Sequence, residues 1–209
     1  LAQGNVTCLH HALTRPAYAE AEATHRAIAL ARAAEASVYL VHLSCADALA
    51  EVAAAKARGW PVFAETCPPY LALTDARYAV EDEAEVIRSV ISPPLRSEAD
   101  RQALWLGLRA GGLDAVASDH VPDRLAVEKA IPAPPFPQIS NGAPGIETLL
   151  SLVHGLGPAS GRMTLERMVD VLSTSPTRLF GLANKGAVEV GRDADLVLFD
   201  PDASRTLRQ

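Results

Sequence analysis

The sequence predicts an α/β fold in which helices cover a parallel sheet, and three observations predict it. Short runs rich in β-branched and aromatic residues, at 37–43, 62–66 and 115–118, alternate with segments of helical periodicity. The first of these runs, SVYLVHL, is apolar almost throughout, as a strand buried on both faces reads. Each run also ends near a polar residue: His42, Glu65 and Asp119. In a (β/α)8 barrel of the TIM type that end of the sheet gathers the active site, and a complete barrel needs about 250 residues. With 209 residues and three core strands, the expectation is part of such a barrel.

No helix or strand signal opens the chain, which begins at Leu1. Pro16 can sit in a first helical turn, and Ala23, Ala27, Leu30, Ala31 and Ala34 then form an apolar stripe. After the first strand, Ser44 is placed to cap a helix, with Asp47 three residues on. Leu49, Val52 and Ala53 give that helix its buried face, and Gly59 ends it. After the second strand, Pro68, Pro69, Pro93 and Pro94 mark a long irregular stretch. Ser97 starts a helix through about Ala110, stopped by Gly111 and Gly112. The third strand delivers Asp119 and His120. Residues 121–144 hold six prolines and read as a loop; so long a loop is usually functional or disordered. Ile146, Leu149, Leu150 and Val153 mark one helix, Leu165, Met168, Val169 and Leu172 another. Ser175 and Pro176 read as N-cap and first residue of a third. Residues 187–190 and 195–199, about a turn at Gly191 and Arg192, read as a β-hairpin. The expected division is a partial barrel over 1–182 and a β segment over 183–209.

Composition narrows the function. The chain is 49% hydrophobic and 21% charged, which is ordinary for a globular protein. Acids outnumber bases 25 to 19, which argues against a nucleic-acid binder working through a basic surface. No apolar run reaches the roughly 18 residues of a membrane helix, and no leader pattern opens the chain. Three cysteines are too few for a disulfide framework and suit a reducing, cytoplasmic compartment.

The residues that can carry chemistry stand at the strand ends. The imidazole of His42 can bind a zinc-type metal, or it can be a buried histidine satisfied by backbone. Asp119 can bind metal or act as general base to a metal-bound water, or it can cap a loop or pair with a cation. The Glu65-Thr66-Cys67-Pro68 turn is better read as structural than as a cysteine nucleophile without a partner. Cys8 and Cys45 read as small packing residues. His10 and His11 lack metal-pair spacing, and His25 and His154 are expected on helix surfaces.

Six motifs occur in order: Val41-His42-Leu43-Ser44; Glu65-Thr66-Cys67-Pro68-Pro69-Tyr70-Leu71; Ser92-Pro93-Pro94-Leu95-Arg96; Ser118-Asp119-His120; Asn141-Gly142-Ala143-Pro144-Gly145-Ile146-Glu147; and Gly186 through Pro201. Together they resemble the dihydropyrimidinase/hydantoinase branch of the amidohydrolase superfamily over nearly the whole chain. The resemblance implies a (β/α)8 barrel with a small β-sandwich, two metal ions, usually zinc, and hydrolysis of a cyclic amide to an N-carbamoyl amino acid. By match, His42 is the sixth-strand metal ligand and Asp119 the eighth-strand ligand, which also serves as the catalytic base. The resemblance also implies that Ser92 and Asn141 hold the substrate's imide edge, largely through backbone groups. The resemblance further implies a homo-oligomer, a tetramer.

This sequence departs from the family pattern in three places. It has no His-x-His pair and no Lys before Lys56 to act as the bridging lysine. It also has no fifth-strand His, because residues 11–16 resemble the stretch immediately C-terminal to that histidine. The chain is therefore expected to correspond to the C-terminal half of such an enzyme and to be inactive alone. Two alternatives stand beside this one: an allantoinase or dihydroorotase, which shares the first few motifs although the segment Asn141 through Glu147 resembles the dihydropyrimidinase and hydantoinase side more, and a non-enzymatic scaffold of the same fold.

Overall fold

A computed structural model describes residues 4–204 and 206. Three parallel strands form one sheet in the order β1 (Val38–Leu40), β2 (Val62–Thr66), β3 (Ala115–Val116). Val38 pairs with Val62 and Leu40 with Ala64; Glu65 pairs with Ala115 and Thr66 with Val116. The crossovers between strands carry helices α3 (Ala46–Ala57) and α6 (Glu98–Ala110). Parallel strands need such crossovers, and the helices cover the sheet. This is the expected strand–helix alternation of a partial barrel.

The core lies between the sheet and these helices. Leu104, Trp105 and Leu108 of α6 meet Val52 of α3, Ala64 of β2 and Leu113, all buried. α6 is fixed at both ends by its sequence. Ser97 and Asp100 form a reciprocal capping box, and Gly111 takes the left-handed conformation at φ 81°. At the far end of the strands, Asp114 accepts from the Ala64 N–H at 2.8 Å and from Lys56 Nζ at 2.6 Å, tying β2 to the entry of β3.

Several expectations need correction. Residues 8–13 form a helix, α1 (Cys8–Leu13), where the sequence carries no clear signal. In α2 (Ala17–Ala33) the buried residues are Thr24 and Ile28, while Leu30 is 65% exposed. A helix so rich in alanine has little apolar contrast, so periodicity cannot select its face. The N-cap of α3 is Cys45, without a side-chain cap; the Ser44 hydroxyl goes to Glu20, and Asp100 accepts the Ala46 N–H at 2.9 Å. In α3, Ala55 is buried and Ala53 exposed. The proline-marked stretch contains α4 (Pro68–Ala72) and α5 (Glu83–Arg88) rather than irregular chain alone. Prolines are tolerated in the first turn of α4 because their missing N–H would be unsatisfied there anyway.

Ser175 does not start a separate helix. α8 (Leu165–Val169) runs through a π turn (Asp170–Thr174) into α9 (Ser175–Leu179). The widened turn precedes Pro176, whose ring would meet the Leu172 carbonyl in a regular helix. Upstream, α7 (Leu149–Leu156) buries Val153, and Ile146 lies outside the helix and is exposed.

The expected hairpin forms no strand among the described residues. Lys185 instead pairs with Asp193 and Asp195, and Arg192 donates to the Ala183 and Lys185 carbonyls, folding the segment on itself. Val188, Val190 and Leu198 are fully or almost fully exposed. A lone two-stranded hairpin is marginal in water, and these side chains have no apolar face to cover. The expected β segment over 183–209 also extends into residues 205 and 207–209, which lie outside the described residues.

Candidate active site

His42 and Asp119 stand just past the ends of β1 and β3, and both adopt left-handed backbone, at φ 45° and 43°. The other described non-glycine residue with positive φ is Glu35, in the turn after α2, where that conformation ends helices. At a strand end it has no such routine cause. It costs on the order of 1–3 kcal/mol, and such residues cluster at functional sites.

The surrounding chain holds both bends. After His42 the strand pairing resumes: the Leu43 N–H donates to the Glu65 carbonyl at 2.8 Å, and the Thr66 hydroxyl donates to the Leu43 carbonyl at 2.7 Å. Before Asp119, the Ala117 N–H donates to the Thr66 carbonyl at 3.0 Å. After it, His120 bridges to Ala143, and the Val121 N–H donates to the Ala143 carbonyl at 3.0 Å. Each left-handed residue thus lies between stretches of paired chain.

Glu65 lies between them at the end of the central strand. Its carboxylate accepts the Tyr39 hydroxyl at 2.6 Å. Burial holds its carboxyl above the usual carboxylate range; the Tyr39 hydroxyl, His42 and the His42 backbone oppose that, and Asp119 adds to it. Burial also pushes the Cys67 thiol well up, with Glu65 and Asp119 adding to the effect. A thiol so held is no thiolate nucleophile, which supports the structural reading of this turn.

A cavity of about 280 Å³ opens beside Asp119 and includes Cys67, Tyr70, Ser118 and Gly145 in its lining. The neighbours of both predicted substrate residues, Ile91 and Gly142, line it as well; Ser92, Asn141 and His42 do not. Ser92 is half-buried and Asn141 exposed. The 141–146 turn is pressed on the Asp119 bend: His120 Nδ1 accepts the Gly145 N–H at 3.0 Å. A Cβ on Gly142 would come within 2.4 Å of Val121, and one on Gly145 within 2.8 Å of the Ser118 carbonyl. Only glycine allows that approach.

Buried polar side chains support this end of the molecule. Arg96 and Glu20 pair beneath Ser44, and Glu20 accepts both the Ser44 N–H at 2.7 Å and the Ser44 hydroxyl. His11, wholly buried, donates from Nε2 to the Ile91 carbonyl at 2.7 Å. Lys129, also buried, donates to the Val90 and Ser140 carbonyls. Sequence reasoning misses His11, Lys129 and Glu20, and the neighbouring residues give no pattern for them. Glu65 is visible as a strand-end carboxylate.

The donor chemistry of His42 and Asp119, an imidazole nitrogen and a carboxylate oxygen, suits a zinc-type ion. Among the described residues, no group of three His, Cys, Asp or Glu is placed to hold a metal. Two donors do not complete such a site, so an ion held here would need further donors from elsewhere.

The chain matches the profile of the Amidohydrolase family over residues 10–208. It is 42% identical to a D-hydantoinase of Rhizobium radiobacter, covering 100% of this chain and 46% of that protein. It is 41% identical to a D-hydantoinase of Geobacillus stearothermophilus, covering 99% of this chain and 44% of that protein. Among solved structures, a dihydropyrimidinase from Brevibacillus agri superposes with a TM-score of 0.94 at 43% identity, covering 99% of this chain and 45% of that one. The chain spans less than half the length of these relatives. No described helix is long and apolar enough to cross a membrane. The strand-end geometry, the ordered motifs and these matches agree, and the chain belongs to the amidohydrolase family.

Proposed function

We propose that the complete protein carrying this chain opens a cyclic amide ring, a dihydropyrimidine or a 5-substituted hydantoin, to an N-carbamoyl amino acid. The observation that carries the reading is the pair of left-handed bends at His42 and Asp119, flanking Glu65, with a cavity beside Asp119. The hydantoinase and dihydropyrimidinase relatives support the substrate class.

In this reading His42 and Asp119 are metal ligands, and two ions, zinc by donor type, supply Lewis acidity at the attacking water and the attacked carbonyl when bound. Asp119 accepts the proton released by the attacking water. As the ring C–N bond breaks, the same carboxyl gives that proton to the leaving nitrogen. Ser92 and Asn141 hold the imide edge of the ring. Glu65 and Thr66 keep His42 in its bend through the hydrogen bonds to Leu43. Asp119 is exposed and lines the cavity, so a ring entering there can reach it without moving the core.

The rest of the reading is a partial barrel over 1–182, a separate β segment over 183–209 that packs on strands supplied from elsewhere, a homotetramer and a cytoplasmic location. Three free, buried cysteines suit a reducing compartment.

The test assays the complete protein, with its metal content measured, against dihydrouracil, a 5-monosubstituted hydantoin, allantoin and dihydroorotate. Opening of the first two and not the last two is expected. Turnover of allantoin or dihydroorotate alone assigns the other ring chemistry. A metal-loaded protein that opens none of the four is a scaffold.

A further inference from the structure

We infer that Lys129 is a positioning residue that ties the Ser92 and Asn141 segments into one substrate-facing wall. Lys129 belongs to the proline-rich loop that has no regular strand or long helix of its own. Its side chain is 3% exposed, and its ammonium donates to the Val90 carbonyl at 2.7 Å and to the Ser140 carbonyl at 2.5 Å. Val90 lies two residues before Ser92, and Ser140 one residue before Asn141. A single cation thus joins two segments far apart in sequence at the points that lead into the predicted substrate contacts.

The clamp has its own counter-charge. Asp123 stands 3.7 Å from the ammonium, and the Ser140 hydroxyl donates to its other oxygen at 2.9 Å. Asp123 Oδ2 has no hydrogen-bond partner, so the carboxylate acts on the lysine through charge. Burying an ammonium is expensive unless it is paired and hydrogen-bonded, and here burial opposes the charged form while Asp123 supports it. Beneath this clamp, Ile87, Val90, Phe136 and Ile139 form a small apolar cluster that seats both segments. His11 holds the next carbonyl along, that of Ile91. An apolar side chain at 129, with no donor, would leave the two carbonyls without this partner and let the segments separate.

The substrate roles of Ser92 and Asn141 rest on the proposed function; the clamp itself does not. The test therefore reads both in the complete protein. Lys129→Met should speed amide hydrogen exchange in 88–92 and 139–143 together, with α3 and α6 unchanged. It should also raise KM for the ring by about tenfold or more while kcat changes by less than about threefold and metal content holds, because small misplacements of substrate-holding groups are costly. Faster exchange in one segment or neither overturns the clamp. Faster exchange in both with unchanged KM, or a loss of kcat tracking a loss of metal, overturns the substrate-positioning role. If the wild type opens no ring, the functional reading fails and the exchange comparison alone decides the clamp. If Lys129→Met does not fold, the wild type decides: matching protection in the two segments supports the clamp, and protection differing by more than about tenfold overturns it.

Discussion

Arg96 Nη2 lies 2.9 Å from Glu20 Oε2, and this ion pair is largely buried directly beneath Ser44, two residues past the His42 bend. Arg96 also donates from Nε to the Ser44 hydroxyl at 3.1 Å and from Nη1 to the Arg15 carbonyl at 2.5 Å. One guanidinium therefore links α2, the His42 segment and the turn before α6. Removing one partner of a buried pair leaves the other charge uncompensated, at a cost of about 3–5 kcal/mol. Arg96→Ala should lose stability on that scale in urea denaturation of the complete protein. A loss under about 1 kcal/mol, the scale of a solvated surface pair, contradicts the role given to this pair.

Gly145 is required by contact. A Cβ there meets the Ser118 carbonyl at 2.8 Å, whereas at Gly155 of α7 nothing lies within 4 Å. Gly145→Ala should cost about 1–3 kcal/mol and loosen the turn against Asp119. Gly155→Ala should be neutral or stabilising by up to about 1 kcal/mol. Equal effects in thermal melts of the two variants would contradict the contact.

His11 sets a pH dependence. Burial holds its imidazole below its ordinary pKa of 6.5. As pH falls through about 6.5, the unfolded chain takes up a proton that the folded chain refuses, so stability is full above that pH and declines below it. In His11→Gln, which can still donate to Ile91, this share of the decline should vanish. An unchanged slope between about pH 5 and 6.5 would show that His11 is not the group responsible.

His42→Ala tests the metal reading. Loss of an imidazole donor leaves one ion under-coordinated, so metal analysis of the complete protein should find occupancy below the wild-type value. Unchanged occupancy and affinity would make His42 a packing residue.

The parts of the fold legible in the sequence are those whose signals are local. β2 is legible over its full extent, because a run rich in β-branched and aromatic residues carries it. α6 is legible because Ser97, Asp100 and Gly111 mark both its ends. β1 is shorter than its apolar run: the run continues to Leu43, but the left-handed bend at His42 breaks the strand after Leu40. α4 is hidden by Pro68 and Pro69, which punctuate a chain whether they open a helix or prevent one. The strand-end positions of His42 and Asp119 can be read from where the apolar runs stop. The groups that support them cannot. Lys129 and His11 bond main-chain carbonyls 39 and 80 residues away in sequence, and a carbonyl accepts a hydrogen bond whatever side chain its residue carries.

Turnover of Asp119→Asn in the complete protein tests the central claim most directly. Asparagine keeps the size of the side chain and its tolerance of left-handed backbone but cannot accept and return the proton. Loss of a general base costs about 10²–10⁴-fold, and loss of a metal ligand adds to it. Ring opening of a dihydropyrimidine or hydantoin should therefore fall at least a hundredfold, on the order of the lower end of that range, with the fold intact by near-UV circular dichroism. A folded variant that opens the ring at near wild-type rate would contradict the account.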